Sequence, residues 1–449
     1  MFTKIKLQNF RSFDKIEFDL TLKNNIPKNL VFVYGENGAG KSNLLSAFVL
    51  LNELIDTMNL RDVYEELLKR ESFTSDERME RFFREKIMEE LRDIQSIIDD
   101  YRMIDNDEPI IAEYEFYIGG NIGRYYVELG KEEIQHERLE YLLNKRRGVY
   151  FDCTSEKLSI NSSIVTDKDL FADIKATAKR YWGKHSFLAI IFHELRDKSK
   201  SFGRDNIAPN FYDVLTEFRM LSCNIEIGHR EWNRLSAPSD VLVSPEEDEI
   251  LKTKEEQLDI TEKILTGFFS AINSDINKAF YKRSYTDKYV KYELFLEKMI
   301  AGSYRNIPFS KESTGNQQLL KVLCYTLSAC LGVTVVIDEA DAGIHDLLFQ
   351  KMMVEIQPKI EGQLIITTHN TLLMETEFAR EAVYVMQEDE DRNKEIRCIT
   401  DYGKRTYFNN NIRNKYLNNE YKGVPSVKKI EFSSLLQMLI DSIENTKQV

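Results

Sequence analysis

GENGAGKSN, residues Gly35–Asn43, follows the apolar run LVFVY at 30–34 and precedes LLSAFVLL at 44–51. A strand, a glycine-rich turn, and then lysine and serine at the start of a helix make a phosphate cradle. Small residues let successive backbone N–H groups turn inward on an anion, and the helix start adds its positive end. The spacing GxxxxGK[ST] is met by Gly35, Gly40, Lys41 and Ser42, with Asn37, Gly38, Ala39 and Asn43 completing the loop. In such a loop the lysine reaches the β and γ oxygens and the serine holds Mg2+, so ATP and Mg2+ are the expected ligands. A chance match in a glycine turn is the alternative, and the flanking strand and helix argue against it.

Three further segments work outward from this loop. The run VTVVI in VTVVIDEAD, 333–341, is β-branched as suits a strand buried on both faces, and its acids stand at the carboxyl end, where open α/β sheets bind ligands. Asp338 is expected to order Mg2+ through water, and Glu339 to orient or deprotonate an attacking water. LIITTHN, 364–370, places His369 just beyond another strand, 31 residues after Asp338, where it can contact a γ-phosphate. Taken alone, such a histidine is more often a core or capping residue; its place in the order reverses that preference. In KESTGNQQL, 311–319, Ser313, Thr314 and Gly315 open the apolar-periodic helix LLKVLCYTL and again offer free N–H groups and a hydroxyl. A plain helix cap is the simpler reading in isolation. The segment lies 25 residues before Asp338, however, where ATP-binding-cassette proteins carry a signature that closes over ATP held by the other subunit.

The whole chain sets bounds on these readings. Its 449 residues and 42% apolar content suffice for two or three domains with a sizeable core. No run of about 18 uncharged apolar residues occurs, and MFTKIKLQNF is too polar for a signal peptide, so the cytoplasm is expected and a membrane is not. Cys153, Cys223, Cys324, Cys330 and Cys398 are scattered and show no CxxC pair, so reduced thiols are expected. A formal charge of -13 argues against a generally nucleic-acid-adhesive surface, because phosphate-backbone affinity comes from accumulated Lys and Arg. A local basic groove for nucleic acid stays open.

The hydrophobic periods divide the chain into five parts. Residues 1–57 read as two antiparallel strands about a Phe10–Phe13 corner, then the LVFVY strand, the glycine loop and its helix. Residues 58–107 are densely charged at helical spacing and predict a helical hairpin. At 108–165 the period changes to two, and the Gly119-Gly120-Asn121 junction suits a hairpin turn, so an antiparallel sheet is expected. Residues 166–283 return to helical character and predict a second helical insertion or lid. At 284–449, YVKYELFLEK is expected to lead back to the core as a strand, and the rest forms the second lobe of an α/β domain.

The set NFRSF, GENGAGKSN, ESTGNQQ, VVIDEADAGIH and IITTHN resembles the SMC/RecF-like branch of cassette ATPases. More narrowly it is similar to the RloA-like and OLD-like stand-alone ATPases of bacterial anti-phage and abortive-infection systems. NKYLNNEYKGVPSV is similar to the Tyr-Leu-x-Gly-x-Tyr-Gly-x-x-Pro pattern of the RloA-like group, with Asn419 and Lys422 where that pattern has glycines. The resemblance implies an ABC-type α/β head with an antiparallel β subdomain and two helical insertions. It also implies that Arg11 lies near the nucleotide, that Ser313 and Gly315 contact the γ-phosphate held by a partner, and that Asp341 lies near the dimer interface. The nearest glutamine for a Q-loop is Gln135. The OLD-type nuclease acids find a match in Asp389-x-Asp391, but only about 80 residues follow His369, little for a nuclease fold. Those acids are expected in a solvated turn.

The combined reading is an ATPase working as a homodimer or higher oligomer through an ATP sandwich, with Lys41, Glu339 and His369 as catalytic residues. By the resemblance, its nucleotide state is expected to control a separately encoded effector, a nuclease or a toxin, in anti-phage defence. The competing readings are a RecF-like DNA-repair or chromosome-maintenance factor and a low-turnover scaffold gripping a toxin. A transporter ATPase fits least, since 271 residues separate Lys41 from Glu312.

Overall fold

The structure is a computed structural model that describes residues 1–59, 92–143, 145–228, 230–389, 392–402, 411–424 and 430–446. Its centre is a parallel sheet made by β3 (Leu30–Tyr34), β9 (Ser222–Ile227), β15 (Thr334–Ile337), β16 (Gln363–Thr367) and β17 (Val383–Glu388). Strands β10 (Arg230–Arg234) and β18 (Lys394–Cys398) close its edges in antiparallel fashion, giving the order β10-β9-β15-β16-β3-β17-β18. Strands β3, β15, β16 and β17 send alternate residues into different clusters. Val31 and Val33 point into one, and Leu30, Phe32 and Tyr34 into the other. This two-sided burial is why LVFVY and TVVI are apolar without interruption.

The first cluster is roofed by an antiparallel sheet of β1 (Phe2–Phe10), β2 (Phe13–Asp19), β4 (Ile110–Ile118), β5 (Asn121–Leu129), β6 (Ile134–Leu143), β7 (Arg146–Thr154) and β8 (Leu158–Ile160). The Gly119–Gly120 turn has φ of 52° and 83°, which glycine adopts without strain and which matches the twist of the β4–β5 hairpin. The helix Lys41–Asp56 shares this cluster with both sheets and is buried almost all round, which accounts for its unbroken apolar run. The outward face of the antiparallel sheet is polar and internally neutralised: Lys6 meets Glu113, Arg124 meets Glu113 and Glu140, and Arg138 meets Glu140 and Asp152.

The α/β head with an antiparallel subdomain expected from the sequence is the fold observed. Most of the expected helical hairpin at 58–107 lies outside the described residues; within them, the helix Ile94–Tyr101 packs Ile94, Ile97, Ile98 and Tyr101 inward. Residues 166–283, expected to be helical, hold the helices Lys168–Tyr181, Phe187–Arg196, Pro209–Met220 and Glu256–Ile272, but also strands. Strand β9 belongs to the central sheet; its sequence SCNIEI alternates polar and apolar residues, a strand period too short to stand out within a stretch of helical character. A third sheet joins β11 (Glu247–Leu251), β12 (Ile276–Tyr285), β13 (Tyr289–Ile300) and β14 (Ser303–Pro308). A register shift between Ile276 and Lys278 breaks the alternation that would have marked β12. YVKYELFLEK is a strand, as expected, but it lies in this third sheet. The helix Thr314–Cys330 joins that sheet to the core: Leu320, Leu323 and Cys324 face the sheet, while Val322, Tyr325 and Ala329 face the core. No helix among the described residues is long and apolar enough to cross a membrane.

Candidate nucleotide-binding site

The glycine loop leaves β3 and turns at once into the helix Lys41–Asp56. Gly35, Gly38 and Gly40 have φ of 155°, 84° and 103°, the last two in the region L side chains avoid. At Gly40 an added Cβ would also press on Phe13 Cζ at 3.1 Å and Ser12 Oγ at 3.3 Å. Gly40 is the N-cap and gives no side-chain cap, so the N–H groups of the first turn have no intrahelical or capping acceptor. Lys41 is 7% exposed, and its ammonium donates to the carbonyls of Gly35 and Glu36 at 3.0 and 3.2 Å. Burial lowers its pKa, against the pull of Asp338, Glu339 and Glu36. A buried cation held only by carbonyls among the described contacts, beside uncapped N–H groups, is a receptor for a polyanion. Ser42 and Asp338 are hard oxygen donors of the kind Mg2+ takes together with phosphate oxygens. The residues therefore fit Mg2+-bound ATP.

Asp338 and Glu339 follow β15, and their geometry depends on a residue the sequence reading passed over. Thr367, the last residue of β16, donates its hydroxyl to Asp338 Oδ1 and accepts the backbone N–H of Glu339 at 2.7 Å. Glu339 has φ of 46°, a left-handed conformation costly for a non-glycine residue. Thr367 holds the chain in that turn and leaves the Glu339 side chain exposed. The signal was available as a β-branched hydroxyl closing the strand beside an acid pair. A second such residue is Asn224: its carbonyl accepts the N–H of Asp338 at 2.8 Å, and it ends the pairing of β9 with β15.

His369 stands two residues past β16 and is exposed. Its pKa is lowered by burial of the ring and by the Lys41 charge, with Glu339, Asp341 and Asp338 opposing. The histidine thus shares one electrostatic site with Lys41 and both acids. Asp341 is pushed up by burial, against a hydrogen bond from Thr368. The loop beyond His369 is fixed from behind, because Asn370 accepts from the Tyr34 hydroxyl at 2.8 Å and donates to Asp346 O at 2.8 Å.

Ser313 caps the helix Thr314–Cys330, its hydroxyl accepting from Asn316 N at 3.3 Å. A Cβ on Gly315 would lie 2.8 Å from the Gly343 carbonyl, so the helix start rests directly on the loop that follows Glu339. Gln318 adds a hydrogen bond to Ala340 O at 3.3 Å. The structure brings together Lys41, Asp338, Glu339 and His369. Ser313 and Gly315 meet the acid-following loop, and no contact between them and the Gly35–Asn43 loop is among those described.

The remaining expected residues fall in different places. At the Arg11 corner, Ser12 accepts from Asn43 Nδ2 at 2.8 Å and Phe13 packs on Gly40, so the corner abuts the cradle. The Arg11 guanidinium itself lies 4.7 Å from the Tyr101 ring centroid, and its buried Nε has no hydrogen-bond partner. Gln135 is exposed on β6, packed beside Gly130 in the antiparallel sheet. Asn224 meets Asp338 through its backbone carbonyl, while its side-chain amide donates to Asn233 Oδ1. Asp389 sits in the turn between β17 and β18, accepting Asn393 N at 2.8 Å; Asp391 lies outside the described residues. The tail motif packs behind the histidine loop, with Tyr416 5.6 Å from Tyr34 by ring centroids and Arg413 Nε donating to Thr371 Oγ1 at 3.1 Å. The end of that motif, 425–427, lies outside the described residues.

Among solved structures, the chain is similar to the SMC head bound to the C-winged helix domain of ScpA, at 13% identity and a TM-score of 0.42, covering 88% of this chain and 97% of that one. It is also similar to the SMC head domain from Thermotoga maritima, at 14% identity and a TM-score of 0.36, over 88% and 98%. A third is the Smc head with an extended coiled coil bound to the C-terminal domain of ScpA derived from Pyrococcus furiosus, at 14% identity and a TM-score of 0.38, over 88% and 95%. No curated protein matches the sequence. The family model AAA_21, described as "AAA domain, putative AbiEii toxin, Type IV TA system", matches residues 30–375, well over half of the chain and every segment of the cradle, acid pair and histidine loop. The chain belongs to that family of AAA-domain proteins.

Proposed function

We propose that the chain binds ATP with Mg2+ and hydrolyses it between two copies, and that nucleotide state controls a separately encoded effector in anti-phage defence. The observation that carries the ATPase reading is the convergence of buried Lys41, Asp338, the left-handed Glu339 and His369 beyond the carboxyl ends of the middle strands of the central sheet. Lys41 and the first-turn N–H groups bind the phosphates. Ser42 and Asp338 hold Mg2+, which when bound neutralises charge developing on the phosphate oxygens. Glu339 orients the attacking water and takes its proton, and His369 hydrogen-bonds the γ-phosphate. Ser313 and Gly315 serve the nucleotide of the other copy, so loss of the shared γ-phosphate loosens the pair.

The family description, which names an AbiEii toxin and a type IV TA system, supports a place in a toxin–antitoxin defence system, and the separate effector is our reading of that place. Direct service as a DNA clamp has less support, because the basic residues on the antiparallel sheet's outer face are paired with acids.

The test is Glu339→Gln. We expect binding of a fluorescent ATP analogue within about threefold of wild type, phosphate release slowed roughly 100- to 10,000-fold, and a larger dimer fraction with ATP by light scattering. Undiminished phosphate release removes Glu339 from its role. Negligible wild-type turnover with a stably co-purifying protein favours the scaffold reading instead.

A further inference from the structure

The helix Phe432–Thr446 leaves its apolar side in water. Phe432, Leu435, Leu436, Leu439 and Ile443 recur every three or four residues and so line one face; Phe432 is 71% exposed and Leu436 58%. Gln437 and Asp441, 2.8 Å apart, occupy the other face. A lone helix of this length is marginal in water, and packing of its apolar face is the usual source of helix stability.

The same chain carries a surface of matching kind. A groove of about 600 Å³ runs between the helices Glu256–Ile272, Thr314–Cys330 and Asp346–Ile356, floored by Phe268, Leu327, Leu348 and Met352. Leu347 on its rim is 51% exposed, so the chain's own terminal helix does not cover it.

We infer that the terminal helix of one copy seats in this groove of a second copy, reciprocally, as an interface separate from the nucleotide sandwich. One chain supplies both halves, and each half stands uncovered in the single chain. Only residues 425–431 separate the helix from Val424, a span of at most about 28 Å, so a seated helix draws the two bodies together. Reciprocal exchange uses each half twice, which brings the covered surface toward the roughly 800 Å² per partner of stable interfaces.

The seat has a mechanical consequence. Two of the groove's walls are the helix capped by Ser313 and the helix that His345 caps just beyond the Glu339 loop. The segment carrying the exchanged helix is tied to the histidine loop through Arg413, which bonds Thr371 at 3.1 Å and Glu375 at 2.9 Å. Exchange therefore links the histidine loop of one copy to the Ser313 helix of the other.

The test uses the full chain without nucleotide, in a Lys41→Ala background, so that failure of the ATPase reading leaves it untouched. Size exclusion with light scattering should show a dimer or larger assembly. Leu436→Asp with Leu439→Asp, and separately Leu347→Asp, should each weaken association at least about 30-fold. Mixing the helix variant with the groove variant should restore a weaker heterodimer, since one intact helix then meets one intact groove. Melting temperatures within a few degrees of the parent show that the variants fold. A monomeric parent overturns the inference, as does a groove variant that stays dimeric, which would point to helix–helix pairing.

Discussion

Two helices begin at the edge of the same site, and their first turns are built in opposite ways. The helix Lys41–Asp56 starts from a glycine without a side-chain cap, with a buried lysine at its first position and Asp338, Glu339 and His369 within electrostatic reach. The helix Thr314–Cys330 starts from a serine whose hydroxyl already satisfies Asn316 N. The acid before it, Glu312, is occupied by Lys298 at 3.1 Å and by Asn316 at 2.8 Å. Both helix starts attract anions for the same reason. Only the first assembles lysine, acids and histidine from its own chain. The second presents Ser313 and Thr314 to solvent and keeps Glu312 paired. On the reading proposed above, the first start is a receptor complete in one chain, and the second is a contact meant for another copy's nucleotide.

The comparison breaks most readily at Lys41. Lys41→Ala removes the cation of the first start, and we expect affinity for a fluorescent ATP analogue to fall on the order of 100-fold or more. Unchanged binding would make the two starts equivalent and undo the contrast. Ser313→Arg should act differently, leaving binding by the single chain within about threefold while phosphate release falls at least about tenfold, because the bulky cation blocks the face meant for the second copy. Ser313→Ala, which removes only the cap, should cost about 0.5–2 kcal/mol of stability in a thermal melt. Thr367→Val acts on the acids of the first site instead. It keeps the shape but strips the hydroxyl that holds Asp338 and Glu339, so about 1–3 kcal/mol should be lost. Phosphate release should drop about tenfold, and Thr367→Ser should rescue it.

The contrast also explains what could be read in the sequence. Gly35–Asn43 and VTVVIDEAD were legible because local geometry dictates their residue types: glycines where φ is positive, and β-branched residues where both faces of a strand are buried. The Ser313 cap was legible for the same local reason. What makes Gly315 necessary was not, since the carbonyl that excludes a Cβ belongs to Gly343, 28 residues away. Thr367 and Asn224 were hidden because their roles exist only once β16 and β9 lie beside β15. Gln135 suits a Q-loop by residue type alone and lies on β6 of the antiparallel sheet. The strand that places Asn224, SCNIEI, does alternate polar and apolar residues, but its six residues follow the helix Pro209–Met220 almost directly, and the helical character of the surrounding stretch hides them.

The finest test of the comparison is the titration of His369, because Lys41 stands at one helix start and has no counterpart at the other. Burial and the Lys41 charge both hold the histidine below its ordinary value near 6.5. With the folded pKa below the unfolded one, the unfolded chain binds more protons in that interval. The favourable contribution of neutral His369 is therefore present above about pH 6.5 and is lost as pH falls through the folded value. Lys41→Ala should raise the His369 pKa in an NMR titration and flatten that acid loss in melts between pH 5 and 7.5, both by modest amounts because the ring is exposed. Ser313→Ala should leave the titration where it was. If the serine variant moved it as far as the lysine variant did, His369 would be responding to both helix starts, and the two would already be one site within a single chain.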